Sequence, residues 1–463
     1  MTRSSRSFRL PEYKSQIDYL FWLLIFFFTD TGGIITSLGL NIRIANLFSF
    51  VGIFVVFLLA SNGKGLGIVL RDRLFKKLLT ILFFWFILYY ILWFLVFNDD
   101  YSVISLKSRL IKARFYYLNW LLCIPTYYFI LHRGTVLFLK LFLKTSILVT
   151  TLLLITQFLG IDIVSVNTFS RGYVDVDRVS LAGSDFLQLG LYFFATLLII
   201  PVYYYSQFRK LLIYGAIAVL MIYVLSLTRR YYFYMILSLV LGDLLSRYLF
   251  NKTIFSKGKY LIIGFVGYLI LSISLPSYTD AIQKGVMTVF ESDKNTYGTT
   301  KKRMELSGQI ATVKLFQDNF LLGTGYMNEW YSTNKDNVKT EYGIEGADYI
   351  FLSTTAMYGV LGLVLFLPFY YLFYKTLFKT LKRIKRQKHI IMNNKSLVAP
   401  FIIFISLSLF FLTHLLSYPN WFHFIGPAYG TKELYLYVGI MFGVMARLNS
   451  LISINQIHEE NVK

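Results

Sequence analysis

Two adjacent arginines are the first residues in this chain with a chemistry of their own. Arg229 and Arg230 lie in a very short turn between two apolar runs, Ser226-Leu-Thr-Arg-Arg-Tyr-Tyr. A guanidinium fork suits bidentate binding of a phosphate group. Arginines at helix ends also snorkel to lipid headgroups, but two on the outer side of a membrane would run against the usual charge bias. The pair therefore predicts a phosphate site, with snorkelling as the alternative.

A third candidate is Arg303, which closes the basic triplet Lys301-Lys302-Arg303. Apolar residues follow it at helical spacing as far as Phe320, which predicts a short amphipathic helix beginning near Thr299 or Thr300. Cations in the first turn of a helix oppose its dipole, which favours anions there. A diphosphate bound at the helix start would offset this penalty, and a solvated basic turn is the alternative.

The fourth candidate, Asp348, lies where the next apolar run begins. Its carboxylate suits two roles, the N-cap of the following helix or a base for an acceptor hydroxyl, and both stay open. Upstream, Gly323-Thr-Gly325 predicts a turn that ends the amphipathic helix. The five histidines are scattered and Cys123 is the single cysteine, so the sequence predicts neither a metal site nor a cofactor.

The elements that must position these residues are membrane spans. The 463 residues are 56% hydrophobic and 15% charged, and the hydrophobic residues come in long runs. This predicts an all-α polytopic membrane protein with a single transmembrane domain over residues 1–463. Twelve runs are long enough to cross a bilayer, near residues 18–40, 44–60, 75–97, 116–131, 135–159, 182–205, 211–228, 231–250, 259–276, 348–374, 397–417 and 432–448. Polar residues interrupt the first and fourth runs.

Basic residues give this arrangement a direction. With both termini in the cytoplasm, the inner segments carry 26 Lys and Arg and the short outer segments carry 9. Cytoplasmic loops collect such residues, which accounts for the net charge of +22 without nucleic acid. Residues 276–347, which contain the amphipathic helix, become one large external loop. The four charged candidates are then all predicted on the outer side of the membrane.

From about Arg178 to Lys375 the chain resembles the O-antigen ligase and Wzy-type polymerase superfamily of bacterial surface-polysaccharide assembly. The order and spacing of four segments carry the resemblance: Arg178-Val-Ser-Leu-Ala-Gly183, Ser226-Leu-Thr-Arg229-Arg230, Arg303 with Asn319-Phe-Leu-Leu-Gly323-Thr-Gly325, and Asp348-Tyr-Ile-Phe-Leu with Tyr358-Gly-Val-Leu-Gly-Leu. The resemblance covers somewhat under half of the chain. It implies a GT-C-like glycosyltransferase architecture in the bacterial cytoplasmic membrane, with the active site facing outward.

The resemblance also implies a reaction. The donor would be a glycan on undecaprenyl diphosphate, held by Arg229, Arg230, Arg303 and Arg178. A hydroxyl of the acceptor glycan would attack the anomeric carbon with inversion and without a metal, and the catalytic residues would be Asp348, Arg303 and Arg229. Gly323 and Gly325 would shape the loop. The growing polysaccharide, membrane lipids and a chain-length regulator protein would be the partners.

One departure from the family separates its two activities. Ligases of this family typically have His where this chain has Asp348. This favours a polymerase that joins repeat units into O-antigen, capsule or exopolysaccharide over a ligase that transfers glycan to the lipid A-core of lipopolysaccharide. A flippase or transporter of lipid-linked oligosaccharide is the non-enzymatic alternative. The long insertion disfavours it, because it follows span nine and lies outside, whereas two-halved transporters usually carry theirs in the cytoplasm after span six.

Overall fold

The described part of the chain consists mainly of long apolar helices. The computed structural model describes residues 12, 15–33, 35, 38–96, 118–159, 166–169, 178–181, 189–199, 209–225, 229–253, 272–273, 276–277, 279–280, 283, 317, 320–321, 350–417 and 431–462. Most of predicted span nine, of the Arg303 helix and of the external loop therefore lies outside the described residues.

The described helices follow the order of the predicted spans. The first half of the chain contains α1 (Gln16–Phe28), α2 (Ile42–Ala60), α3 (Gly65–Val69), α4 (Arg73–Val96), α5 (Cys123–Tyr128) and α6 (Val136–Leu159). The second half contains α7 (Leu189–Ile199), α8 (Arg209–Leu225), α9 (Arg229–Phe250), α10 (Ile350–Arg386), α11 (Lys388–Asn393), α12 (Val398–Ser417) and α13 (Thr431–Val462).

Five described helices are long and apolar enough to cross a membrane. The stretches that qualify are Val136–Thr156, Phe233–Phe250, Gly359–Arg386, Val398–Leu415 and Glu433–Ile454. The predicted α-helical membrane architecture is confirmed at this level, and the number of twelve spans stays a prediction. One local addition is a pair of short antiparallel strands between α6 and α7, β1 (Val166–Phe169) and β2 (Arg178–Leu181).

Helix α1 is shorter than the predicted span 18–40, because polar residues end it at Phe28. The hydroxyl of Thr29 donates back to the carbonyl of Ile25 at 3.0 Å. Asp30 has a φ of 48°, and its carboxylate accepts the amide of Ile35 at 2.8 Å. Such side-chain bonds compete with the helical ladder, so the buried Thr29–Gly33 segment turns instead of continuing the helix.

Predicted span four, 116–131, is not one regular helix. It consists of a 3-10 turn at Asn119–Leu122, helix α5, and a π-helical turn at Phe129–Arg133. The whole segment packs on α13, where Gly439 and Gly443 lie directly against its backbone. This close approach fixes the segment in spite of its irregular hydrogen bonding.

Gly439→Ala is expected to destabilise the protein by about 1–3 kcal/mol, because an added methyl must displace packed backbone. A Cβ at Gly439 would lie 2.7 Å from the carbonyl oxygen of Cys123. The matched control is Gly67→Ala, whose Cβ would meet nothing within 4 Å. Thermal unfolding in detergent measures both variants. Equal unfolding midpoints would show that α5 and α13 separate easily.

Helix α10 breaks at Gly359, which has φ 56° and ψ −173°, a backbone conformation open chiefly to glycine. The helix begins at Ile350, close to the predicted start of span ten at 348, and continues beyond the break to Arg386, past the predicted end at 374. The basic residues near the end of α10 extend this helix, because Lys and Arg are good helix formers and are favoured near a helix C-terminus.

One end of the bundle gathers the arginines of three separate segments. Arg383 of α10 donates to Asn449 at 3.2 Å and to Ser453 at 2.6 Å, both on α13. Arg133 and Arg447 lie in ion pairs with the N-terminal segment. We call this the basic end. Helix α9 also ends at the basic end. Its residue Tyr248 has its ring centre 4.2 Å from the ammonium of Lys385, which belongs to α10.

Candidate functional site

The predicted site residues fall into two groups. Arg303, Gly323, Gly325 and Asp348 lie outside the described residues. The backbones of Arg178, Arg229 and Arg230 are described. Arg178 begins β2 and pairs with Phe169 of β1, so it lies in the hairpin that joins α6 to α7. Arg229 and Arg230 are the first two residues of α9, at the end opposite the basic end. We call this opposite end of the bundle the far end.

The exposure pattern along α9 distinguishes Arg229 from Arg230. One face carries the buried and half-buried residues Tyr234, Ser238, Leu241, Leu245 and Leu249. Another face carries the exposed residues Phe233, Ile236, Val240 and Leu244. Steps of three or four residues keep one face of a helix. Position 230 lies four residues before Tyr234 and continues the buried face, whereas position 229 lies four before Phe233 and continues the exposed face.

The buried face of α9 leads to a polar aromatic cluster. His414, near the end of α12, has its ring centre 4.8 Å from Tyr234 of α9 and 4.2 Å from Phe410. The hydroxyl of Tyr192, on α7, lies 3.5 Å from Nδ1 of His414. Tyr192 is fully buried, and His414 is 9% exposed. Three helices thus bring an imidazole and two phenols together one helical turn below position 230.

The hydrogen bond to Phe410 shows which ring nitrogen of His414 carries a hydrogen. Nδ1 of His414 lies 2.8 Å from the carbonyl oxygen of Phe410, so Nδ1 carries a hydrogen and donates it. In the neutral ring, Nε2 is then the acceptor nitrogen. A neutral imidazole of this tautomer can orient or accept a hydroxyl proton. Closer to the basic end, Thr196 of α7 and Ser406 of α12 share a hydrogen bond of 2.8 Å.

The position of the cluster follows from helix lengths. Phe401, near the start of α12, packs on Phe250, the last residue of α9, with ring centres 6.3 Å apart. This contact lies toward the basic end, where α9 finishes. His414 is 16 residues after the first residue of α12, Val398, which is about 24 Å along the helix axis. The cluster and position 230 therefore share the far end of the bundle.

The structure also joins two segments that the sequence singled out separately. The amide of Val360 donates to the carbonyl of Phe320 at 2.9 Å, and the amide of Leu361 donates to the carbonyl of Leu321 at 3.1 Å. These amides follow the break at Gly359 and so lack partners within their own helix. The chain just before Gly323 is therefore bound to the broken helix α10.

Sequence reasoning missed a buried charge network at the basic end. Arg133 pairs with Asp18 at 2.7 Å, and Arg447, only 1% exposed, pairs with Glu12 at 2.8 Å. The pKa of His132 is lowered by burial and by the charge of Arg447. The available signal was a single arginine inside an apolar run, because a charge buried in a span needs a partner.

The cluster of His414, Tyr192 and Tyr234 was also missed. From the sequence alone, His414 counted only as one of five scattered histidines and was given no role. In the sequence, only the four-residue spacing of Arg230 and Tyr234 pointed to this cluster, because Tyr192 and His414 lie on helices that are distant along the chain. Among the described residues, no group of three or more His, Cys, Asp or Glu could hold a metal ion.

Comparison with known proteins adds no further information about these residues. The chain matches no protein-family model, no curated protein and no solved structure.

Proposed function

We propose that this protein is a membrane glycosyltransferase that joins undecaprenyl-diphosphate-linked oligosaccharide repeats on the outer face of the bacterial cytoplasmic membrane. In this proposal the chain crosses the membrane twelve times with a GT-C-like architecture. The supporting observation is the position of Arg230 at the far end, on the face of α9 that leads to His414 and the two tyrosines. A cation carried by position 230, one helical turn from these hydroxyl and imidazole groups, would suit a diphosphate and a sugar hydroxyl better than plain lipid.

The contacts at the basic end support the proposed orientation. The segments predicted to be cytoplasmic contact one another: residues 12–18 bond to 133–136 and to Arg447, Arg447 donates to the carbonyl of Leu131, and Arg383 bonds to α13. A basic end facing the cytoplasm agrees with the positive-inside rule. The far end, with position 230, would then face outward, where lipid-linked repeats are joined.

In the proposed reaction, arginines hold the diphosphate of the donor. Arg230 supplies one cation from the bundle, and Arg303 and Arg178 supply others from the external segments. The acceptor hydroxyl attacks the anomeric carbon, the bond from that carbon to the diphosphate oxygen breaks, and the electron pair leaves with the diphosphate. Asp348 takes the hydroxyl proton. Charge-assisted contacts to the diphosphate stabilise the leaving group as its negative charge develops.

Reconstitution in proteoliposomes tests this function. The purified protein, supplied with a synthetic undecaprenyl-diphosphate repeat, is expected to build a ladder of longer glycans on the lipid. Arg303→Ala should lower the rate of ladder formation by about ten- to a hundred-fold, the loss of one charge-assisted contact. Lys301→Ala, which removes a neighbouring charge, should have a smaller effect.

Two outcomes would contradict the proposal. Transfer to a lipid A-core acceptor without chain growth would identify a ligase. Movement of the lipid-linked repeat across the bilayer without any glycosidic bond formation would identify a flippase. A wild-type rate in a well-folded Arg303→Ala protein would leave the polymerase intact but remove Arg303 from its site.

A further inference from the structure

The corner formed by Phe320 and Leu321 exposes two large apolar side chains. Phe320 is 54% exposed and Leu321 is 63% exposed. Both residues belong to the segment predicted to be a large external loop. Exposed apolar residues are common and need no explanation when they face water singly. The question is therefore what medium surrounds this corner, and the answer depends on its height along α10.

The height of the corner follows from its hydrogen bonds to α10. Phe320 and Leu321 are bonded through their carbonyls to Val360 and Leu361, which lie at the start of the apolar stretch Gly359–Arg386. Toward the basic end of that stretch, the ammonium of Lys375 donates to the hydroxyl of Tyr371 at 2.8 Å. Lys and Tyr pairs of this kind are typical of a membrane boundary.

This boundary allows the distance to be compared with the thickness of a bilayer. Val360 lies 15 residues before Lys375, which is about 22 Å along the helix at 1.5 Å per residue. The hydrocarbon core of a bilayer is about 30 Å thick, and helix tilt would reduce the height further. Val360, and with it the bonded corner, therefore falls within the apolar layer.

The corner also lies on the side of α10 that faces lipid. Val364, Leu367 and Tyr371 are 52%, 59% and 65% exposed. Position 360 precedes Val364 by four residues and so continues the same stripe. Val360 itself is only half-buried, and its amide is bonded to Phe320. Phe320 thus lies at the upper end of a lipid-exposed stripe.

Backbone hydrogen bonds allow the Phe320–Leu321 corner to lie within the apolar layer. An unpaired carbonyl in hydrocarbon is costly, and irregular backbone at membrane depth therefore needs partners. The carbonyls of both corner residues accept amides that the break at Gly359 releases. The amides released by the break and the carbonyls of the corner thus form hydrogen bonds with each other, which explains why an irregular segment can lie at this depth.

We propose that the Phe320–Leu321 corner inserts into the acyl chains of the leaflet at the far end of the bundle. The segment predicted as a fully external loop then returns to the membrane partway along its length. The insertion anchors that loop to the lipid surface beside α10. This inference does not depend on the proposed glycosyl transfer, because it rests on depth, exposure and hydrogen bonding alone.

Site-directed spin labelling measures the surroundings of the corner. Cys123, the single native cysteine, is fully buried, and a Cys123→Ser background removes it. Nitroxides are attached in proteoliposomes to Phe320→Cys and, as a second independent position, to Leu321→Cys. Val364→Cys reports the lipid-facing stripe, and Lys382→Cys reports the exposed basic end. Collisions with molecular oxygen, which concentrates in lipid, are compared with collisions with a water-soluble nickel chelate.

The expected result is that both corner labels behave like the Val364 label. Their ratio of oxygen to nickel accessibility should exceed that of the Lys382 label by about tenfold, the factor expected from about 1.4 kcal/mol of partition preference. A ratio like that of Lys382 would place the corner in water and overturn the proposal. Low accessibility to both reagents would show that protein, such as a second copy of this chain, covers the corner, and would also overturn it.

Discussion

Arg230→Ala is expected to slow glycan chain growth by about ten- to a hundred-fold, whereas Arg229→Ala should change it by less than about threefold. The larger figure corresponds to the loss of one charge-assisted contact to the diphosphate, worth about 1.5–3 kcal/mol. Position 230 continues the buried face of α9 toward Tyr234, and position 229 continues the exposed face toward Phe233. An arginine on the exposed face can reach the headgroups instead of the donor.

The two variants control for each other, because they remove the same side chain from adjacent positions in the same turn. Chain growth is measured in proteoliposomes at subsaturating donor, where weaker donor binding shows directly in the rate. Arg230→Lys should recover only part of the activity, because an ammonium lacks the bidentate fork. If Arg229→Ala carried the larger loss, the diphosphate would lie on the outer surface of α9, and the bundle site would be excluded.

Glu12→Gln is expected to lower stability by up to about 3 kcal/mol, the low end of the range for an uncompensated buried charge, because Glu12 itself is 26% exposed. Gln keeps the size and an acceptor oxygen, so the change removes the charge alone. Arg447 is 1% exposed and lies 2.8 Å from Glu12. It also donates to the carbonyl of Leu131 at 2.8 Å. These contacts connect the N-terminal segment, the π-helical turn and α13.

A double-mutant cycle isolates this interaction from general damage. Glu12→Gln combined with Arg447→Met should be more stable than the sum of the two single changes predicts, because the uncompensated charge is gone. Thermal unfolding in detergent provides the measurement, and Lys382→Met at the exposed basic end provides the control for loss of a charge. Strictly additive effects would show that the pair is not coupled in the folded protein.

The two ends of the bundle thus use charge differently. At the basic end, Arg133 and Arg447 form ion pairs with carboxylates of the same chain, so these charges stabilise contacts between segments of the bundle. At the far end, the aromatic cluster around His414 is built from hydroxyl and imidazole groups, without a carboxylate among Tyr192, Tyr234 and His414. In the proposed function, the cation at position 230 binds an external anion, which is the reason for placing the donor at this end.

Several features of this protein could be predicted from residue order alone. Long apolar runs predict membrane helices because a bilayer tolerates backbone only when its polar groups bond internally. Within the described residues, α6, α8, α9 and α12 begin and end within three residues of the predicted spans. The interruption of the first span was also visible, because Thr29 and Asp30 offer the backbone alternative hydrogen bonds.

The sequence by itself determined that this is an α-helical membrane protein and the approximate order of its helices, and it supplied the arginines proposed to bind phosphate. Only the tertiary structure decided how these parts meet. The exposure pattern of α9 from Phe233 onward assigns positions 229 and 230 to different faces, and α7, α9 and α12 together form the cluster around His414. Hydrogen bonds across 40 residues of chain bind Phe320 to Val360. Hydropathy reports what each segment can bury, but which partner buries it depends on packing between segments that are remote in sequence.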